Sequence, residues 1–270
     1  MKLLILLNCY NNHYVVKNVY NFIINLMNKE NFDIYLINNN ENIKKEELTK
    51  YSKYCYIFKG NNVCFEFTGI QKCLEFLKKE NKIELYDISL LITDALFNNP
   101  ITYLNFVNIE TFKYAFENEV CIGNIDSFGK KCKIDTFVFE YWIRTCFVII
   151  NNKLFKKINY TFLSYKFHDV YDENNILKIN VDINLQNTLN NRLTLEQYKY
   201  LDTDYKKNLK KLCIYNEYSF TNKITKISEI YDIFYVYLIN AYKCKYINKI
   251  ENLENLNPIE QIKIRNSYLF

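Results

Sequence analysis

The first half of the chain alternates short apolar runs with stretches in which apolar residues recur every three or four positions. The runs predict β-strands at 2–7, 32–37, 54–58, 88–93 and 120–125. Helical spacing follows the first strand at Val16, Val19, Tyr20, Ile23 and Met27, and the third at Ile70, Cys73, Leu74 and Leu77. Shorter helices are predicted at 43–51 and 112–116.

This alternation of strand and helix occurs at least four times, which predicts an α/β fold with a mostly parallel sheet covered on both faces. In such sheets ligands bind at the carboxyl ends of the strands. Polar side chains follow four of the predicted strands, namely Asn8, Asn38, Asp94 and Asp126. Each of them alone fits an ordinary loop residue, but their recurrence favours a site at this edge.

The pattern changes after about residue 135. Residues 142–149 alternate as in a strand, and Asn151 or Asn152 then caps a predicted helix. After residue 166 the chain is rich in Asn, apart from an aromatic helix at 231–242 and a basic helix face near Glu217. That face consists of Lys206, Lys207, Lys210 and Lys211. We therefore expect a core at 1–165 and a mostly helical extension at 166–270 that packs on it.

Composition narrows the class of protein. Of 270 residues 49% are apolar, enough for a large core, and the net charge of +5 comes from charges of mixed sign. Charge alone therefore does not indicate a nucleic-acid binder. The apolar run at 3–7 is shorter than the core of a typical signal peptide, and the later runs are too short to span a bilayer. We expect a cytoplasmic protein and leave open peripheral contact with the inner face of a membrane.

Several familiar kinds of site are disfavoured. The turn "NCYNNH" after the first strand lacks the glycines of a dinucleotide or P-loop site, and no G-x-S-x-G motif occurs. No C-x-x-C pair occurs, and only His13 and His168 are available to complete a zinc site. We expect the nine cysteines to be reduced and mostly buried: Cys9, Cys55, Cys64, Cys73, Cys121, Cys132, Cys146, Cys213 and Cys244.

Three segments resemble a known family. They are "NNVCFEFTGIQKCLEFL" at 61–77, "YDISLLITDALFNNP" at 86–100 and "IGNIDSFGKKCKIDTFVFEYWIRTCFVIINNKLFKKI" at 122–158, with a weaker match in "KKLCIYNEYSFTNKI" at 210–224. Together they are similar to glycosyltransferases of the GT-A type, in particular to bacterial surface-polysaccharide enzymes related to the rhamnan-synthesis group. The resemblance covers about half of the chain. It departs from the family at the acidic motif, where Asp94 stands alone.

The resemblance implies a GT-A-like core and a function. The protein would move a sugar from a nucleotide-sugar donor to a growing surface glycan, such as capsule or lipopolysaccharide. Its partners would be the donor and a glycan or lipid-linked glycan acceptor, with no nucleic acid. A divalent metal, Mn²⁺ or Mg²⁺, is left open because Asp94 has no second acid beside it.

The same resemblance supplies candidate site residues. Asp94 would face the metal and diphosphate, although it also fits a turn cap. Asp126 is the first candidate for the general base, followed by Glu140 and Glu217. Donor contacts are expected from Asn8, Tyr10, Asn38 and Glu66, and acceptor or phosphate contacts from Trp142, Arg144 and Thr145.

Arg144 is one of only three arginines and lies in a predicted strand, so it needs an anionic partner. A structural ion pair with Asp126 or Glu140 is favoured over a direct contact with phosphate. Two other functions stay open: a GT-A-like interaction protein without activity, and a binding module for RNA or anionic lipid that uses the lysine face. For the lysine face, solvation is the simpler interpretation.

Overall fold

The chain is described by a computed structural model that covers residues 1–98, 103–194, 200–242 and 256–269. Cys244 lies outside these residues. Within them, seven strands form one sheet: β1 (Leu3–Cys9), β2 (Phe32–Asn38), β3 (Tyr56–Lys59), β4 (Ile88–Thr93), β5 (Cys121–Ile134), β6 (Phe137–Asn151) and β7 (Ile230–Asp232). Their order across the sheet is β3-β2-β1-β4-β6-β5-β7. The pairs β1–β2, β1–β4, β2–β3 and β5–β7 are parallel, whereas β6 runs antiparallel to both of its neighbours.

Helices cover both faces of this sheet. In the described residues the α-helices are α1 (Val15–Ile24), α2 (Lys45–Leu48), α3 (Phe65–Lys79), α4 (Ile109–Glu117), α5 (Asn152–Lys157), α6 (Phe167–Val170), α7 (Ile183–Leu193), α8 (Asp204–Thr225), α9 (Ile233–Tyr242) and α10 (Pro258–Leu269). The predicted fold class, an α/β protein with a mostly parallel sheet flanked by helices, is confirmed.

Alternating side chains of the central strands divide the core into two clusters. Leu4 and Leu6 of β1 face a cluster that includes apolar residues of α3 and α8. Leu3, Ile5 and Leu7 face the opposite cluster, which includes residues of α1, α4 and α9. All seven residues of β1 are buried, as expected for a strand in the interior of a parallel sheet. This burial explains the continuous apolar run at the start of the sequence.

A bulge in β6 shapes the carboxyl edge of the sheet. Gly123 of β5 pairs with Val148, but the next residue, Asn124, pairs with Arg144. Residues 145–147 of β6 therefore have no partner on β5, and the strand bends at this point. Because Ile92 pairs with Phe147 near the end of β4, the bulge lies where β4 leaves the sheet. It places Arg144 and Thr145 near the edge at which the parallel strands end.

Among the predicted element boundaries that were wrong, two change the description of the sheet. The fifth strand does not end at Asp126, because residues 121–134 continue as the first arm of a hairpin with β6. The aromatic segment at 231–242 begins as β7 and becomes helical only at Ile233, because its first residues pair with β5. The predicted fourth strand matches β4 in both of its bounds. Asn151 caps α5, as one of the two alternatives proposed, by accepting the N–H of Lys153.

The segment after residue 166 completes the core. Its strand β7 is an edge of the sheet, and α8 packs on β6. Arg265 of α10 donates to the carboxylate of Asp232, to the side-chain oxygen of Asn124 and to the carbonyl of Ile125. The division into 1–165 and 166–270 stays a prediction, but sheet and site both draw on residues from each part.

Among the described residues, no helix combines the length and the apolarity that crossing a membrane requires. The eight described cysteines are free, and six of them are buried. The expectation of mostly buried thiols is confirmed for these eight. Burial raises the pKa of Cys73 and Cys121, and it raises the pKa of Cys55 to about 12.

Candidate functional site

Three side chains from three elements meet above the bulge of β6. The hydroxyl Oγ1 of Thr145 lies 2.9 Å from Oε1 of Glu217 on α8 and 3.1 Å from Oε1 of Glu66 on α3. Glu217 Oε1 also accepts the main-chain N–H of Thr145 at 3.0 Å. Glu66 lies in the first turn of its helix, where the helix dipole favours a carboxylate. Sequence reasoning named all three residues, and the structure brings them into direct contact.

The start of α3 is held by a second set of contacts. Phe65, the residue before Glu66, has a left-handed backbone with φ of +44°. The side-chain amide of Asn39 donates to the Phe65 carbonyl at 2.8 Å. This bond ties the carboxyl end of β2 to the turn that orients Glu66, so the strained backbone is held from outside the helix.

The predicted partner of Arg144 is confirmed as Asp126. Arg144 Nε and Nη2 both donate to Asp126 Oδ2, at 2.9 Å and 2.7 Å, and the two side chains are 33% and 32% exposed. Asp126 Oδ1 accepts the N–H of Ser127. Burial lowers the pKa of Arg144, but Glu217 and Asp126 outweigh it and leave that pKa raised. The guanidinium is therefore always charged and faces two carboxylates.

Lys210 completes this group of charges. It lies seven residues before Glu217, two turns away on the same face of α8, and its ammonium is 5.5 Å from the centre of the Phe65 ring. Burial alone lowers the pKa of Lys210. Glu66, and after it Cys213 and Glu217, outweigh this effect, so the pKa is raised and Lys210 stays protonated. Of the predicted basic face, Lys206 and Lys207 form ion pairs with Asp202 and Asp204. Lys206 is exposed, whereas Lys207, Lys210 and Lys211 are half-buried, so this lysine face is only partly solvated.

Asp94 binds main-chain N–H groups of the loop that follows β1. Its Oδ2 accepts the main-chain N–H groups of Tyr10, Asn11 and Asn12 at 3.0 to 3.3 Å. The carboxylate thus lies at the rim of the sheet and caps the loop between β1 and α1. Such charge-assisted bonds from several N–H groups explain a carboxylate directly after a buried strand.

The residues predicted to contact the donor differ in their exposure and in the hydrogen bonds that they already make within the protein. Asn38 is 9% exposed, and its amide is used within the protein: Oδ1 meets His13 Nε2 at 2.8 Å and accepts the N–H of Asn40, and Nδ2 donates to two carbonyls. Tyr10 is 42% exposed. Asn8 is buried, and its Oδ1 has no hydrogen-bond partner among the described residues.

The side-chain oxygen of Asn39 resembles that of Asn8 in its surroundings. Both side-chain oxygens are buried without a partner in the described part of the chain, and both lie against Gly69. A Cβ added at Gly69 would be 2.2 Å from Asn39 Oδ1 and 2.7 Å from Asn8 Oδ1. Glycine is required here because the helix approaches the ends of β1 and β2 so closely.

Two predicted site residues lie elsewhere. The Trp142 ring is 2% exposed and packs against Phe128 and Tyr218, with ring centres 4.6 Å and 5.0 Å away. It belongs to the core and has no free face for a sugar. Glu140 lines a separate cavity of about 340 Å³ with Lys131 and Asn222, among others.

A cavity of about 360 Å³ lies at the carboxyl ends of β2 and β3. Asn38, Asn40 and Gly60 form part of its wall. The charged side chains of the lining are three lysines and two glutamates, Lys44, Lys45, Lys59, Glu41 and Glu46. It is large enough for a small organic ligand. The cavity opens on the same edge of the sheet as the charged group around Thr145.

The residues offer little to a metal ion. In the described ranges, no three His, Cys, Asp or Glu side chains are close enough together to hold one. A divalent ion here would take a single protein carboxylate, that of Asp94, and its other ligands from a phosphate-bearing substrate and water, as Mg²⁺ sites often do.

Sequence reasoning missed Lys210 as a member of the site, and also missed Asn39. The spacing of seven residues between Lys210 and Glu217 was a usable signal, because it places both on one helix face. Asn39 gave no such signal, since neighbouring Asn residues look equivalent in the sequence.

Comparison with known proteins adds little. No protein-family model matches the chain, and no curated protein matches it. Among solved structures, it is similar to the apo form of a protein named as the bifunctional glycosyltransferase WbbM, with 12% identity and a TM-score of 0.32. The match covers 58% of this chain and 33% of that chain. So weak a likeness says nothing of activity.

Proposed function

We propose that the protein is a glycosyltransferase that moves a sugar from a nucleotide-sugar donor to a hydroxyl of a glycan. The observation that supports this best is the convergence of Glu66, Thr145, Arg144, Asp126 and Glu217 at the carboxyl edge of the sheet. They come from α3, β5, β6 and α8, so four elements that are distant in sequence supply one charged group. In α/β folds this edge is where ligands bind.

The donor nucleoside fits best at the cavity between the ends of β2 and β3. Its lining combines amide side chains with apolar ones such as Ile43 and Phe58, and its three lysines outnumber its two glutamates. A base and ribose need a partly apolar slot, and the diphosphate needs positive charge nearby. The diphosphate would extend from this cavity toward Lys210 and Arg144.

Glu217 is a better candidate for the general base than Asp126. Both oxygens of Asp126 are engaged, one by Arg144 and the other by Ser127. Glu217 is bound through Oε1 and is fixed in place by two donors of Thr145. In the proposed step Glu217 takes the proton of the acceptor hydroxyl, the acceptor oxygen bonds to the anomeric carbon, and the bond from that carbon to the diphosphate breaks.

The leaving diphosphate gathers negative charge as that bond breaks. Lys210 and Arg144 are protonated cations that stabilise such charge. A divalent ion held by Asp94 would supply the same electrostatic stabilisation when bound. The finer parts of the proposal are a surface glycan as the product and a nucleoside-diphosphate hexose or deoxyhexose as the donor. They rest on the sequence resemblance given above.

A panel of nucleoside diphosphates and their sugars tests the proposal, with and without Mn²⁺. Binding is read as a thermal shift, since a ligand at 100 times its Kd stabilises by about 2.7 kcal/mol. Transfer or hydrolysis of the sugar is read by release of the nucleoside diphosphate. Glu217→Gln should lower turnover by about 10²- to 10⁴-fold, the usual share of a general base.

Glu84→Gln is the matched control, because Glu84 is an exposed glutamate that precedes β4 and pairs with Lys156 on the surface. Binding without any turnover would indicate an inactive interaction protein instead. Binding of RNA or anionic vesicles with a steep salt dependence, and none of nucleotide-sugars, would indicate the basic binding module.

A further inference from the structure

The contacts of the Thr145 hydroxyl bear on whether both neighbouring carboxyl groups, those of Glu66 and Glu217, are ionised. A hydroxyl carries one proton, and an ionised carboxylate only accepts. Yet Thr145 Oγ1 lies within hydrogen-bond distance of two carboxylate oxygens, 2.9 Å from that of Glu217 and 3.1 Å from that of Glu66. The hydroxyl is able to donate to only one of them. The second contact is a hydrogen bond only when the other carboxyl group carries a proton and donates it to Oγ1.

The surroundings indicate which carboxyl group is neutral. Glu217 Oε1 already accepts the main-chain N–H of Thr145, so this oxygen has two donors when it is ionised. Glu66 has the Thr145 hydroxyl as its side-chain partner. Burial is the main cause that raises the pKa of Glu66, and Glu217 raises it too. Lys210, the main-chain N–H of Glu66 and the Thr145 hydroxyl lower it, but burial outweighs them and the net shift is upward.

The charges around the pair agree with one bound proton. Around Glu66 and Glu217 lie the following titratable groups: Lys210, Cys213 and Tyr218 on α8, Arg144 and Cys146 on β6, and Asp126 on β5 through Arg144. Two of these groups are cations, Lys210 and Arg144, and the carboxyl groups number three. With all three ionised the group has a net charge of −1 in a half-buried place, and one proton makes it neutral.

We propose that Glu66 and Glu217 hold one proton between them at neutral pH, bridged by Thr145, with Glu66 as the neutral acid and Glu217 ionised. The chain of bonds runs from the Glu66 carboxyl to the Thr145 hydroxyl and from that hydroxyl to Glu217. This is a property of the free protein. Its consequence for catalysis, which alone rests on the proposed function, is that Glu66 keeps the shared proton and leaves Glu217 available as a base.

Carbon-13 NMR of protein labelled at the glutamate carboxyl carbons tests the proposal directly. A neutral acid and a carboxylate resonate apart, and Asp232, another buried acid, is not labelled. The wild-type protein should show one neutral glutamate at neutral pH, and Glu66→Gln should remove that signal. Absence of any neutral glutamate in the wild type would overturn the proposal, as would a signal that survives Glu66→Gln and disappears in Glu217→Gln.

The hydroxyl provides a second test that does not depend on folding of the Glu66 variant. Thr145→Ser keeps the bridging hydroxyl and should keep the neutral signal. Thr145→Val has nearly the same shape without the hydroxyl, so the signal of the neutral carboxyl carbon should lie at a different chemical shift from that in Thr145→Ser. Equal spectra for the two variants would show that the hydroxyl does not bridge the pair. Because these spectra need no substrate, a failure to find sugar transfer would leave the result standing.

Discussion

Arg265 holds the C-terminal helix on the sheet, and its removal should cost far more stability than removal of Arg144. Arg265 Nη1 is 2.8 Å from the carboxylate of Asp232, which is fully buried, whereas the Arg144–Asp126 pair is about one third exposed. Breaking a buried pair leaves an uncompensated charge, at about 3–5 kcal/mol. Asp232 keeps the N–H groups of Ile125 and Phe234, so we expect Arg265→Met to cost about 3 kcal/mol, near the lower end of that range.

Arg144→Met is the matched control, with the same change of side chain at a half-exposed pair. Its expected cost is about 1 kcal/mol, since water and salt screen such a pair. In urea unfolding with a slope of about 3 kcal/mol/M, Arg265→Met should lower the midpoint by about 1 M and Arg144→Met by about a third of that. Equal losses in the two variants would refute the reasoning from burial.

The pH dependence of the same variant provides a further check. Burial raises the pKa of Asp232, and Arg265 lowers it in part. Without Arg265 the folded-state pKa rises further above the unfolded value, so the folded protein binds more protons than the unfolded chain. Stability of Arg265→Met should therefore increase as the pH falls from neutral toward the unfolded pKa of Asp232. Asp232→Asn in the same chain should recover part of the loss at neutral pH.

Three other predictions concern single side chains. Asp94→Ala should lower the free energy of unfolding by about 1–3 kcal/mol in urea, because three main-chain N–H groups lose their acceptor. Asp94→Asn should keep the fold but lose sugar transfer, which turnover measures. Asn216→Ala should cost about 2–4 kcal/mol in urea unfolding, because the buried Asn216 accepts the N–H groups of Ser164 and Tyr165. Asn190→Ala, at an exposed position, should cost little. Arg144→Lys should keep the melting temperature within a few degrees and raise the KM for donor or acceptor about tenfold, roughly 1.4 kcal/mol; an unchanged KM with a much lower melting temperature would make Arg144 purely structural.

Local patterns were sufficient for most of the elements. The runs of Ile and Leu in β1, β2 and β4 are buried on both faces, so their sequence alone indicates interior strands of a parallel sheet. The prediction that polar residues gather at the carboxyl edge follows from the same alternation. The partner of Arg144 could also be predicted, because a guanidinium in a half-buried strand needs an acid and Asp126 was one of the two candidates named.

Tertiary structure alone decided how those residues are used. Thr145 meets Glu66 and Glu217 across 79 and 72 residues of chain, and no local pattern reports a contact over such separations. The bulge in β6 that places Thr145 at the edge depends on pairing with two different strands, β4 and β5. Side-chain burial likewise depends on what packs above each residue, which is why Trp142 lies in the core and Lys210 faces two carboxylates. The sequence determined the strands and helices through their periodicity, whereas protonation and charge at the site come from neighbours that only folding brings together.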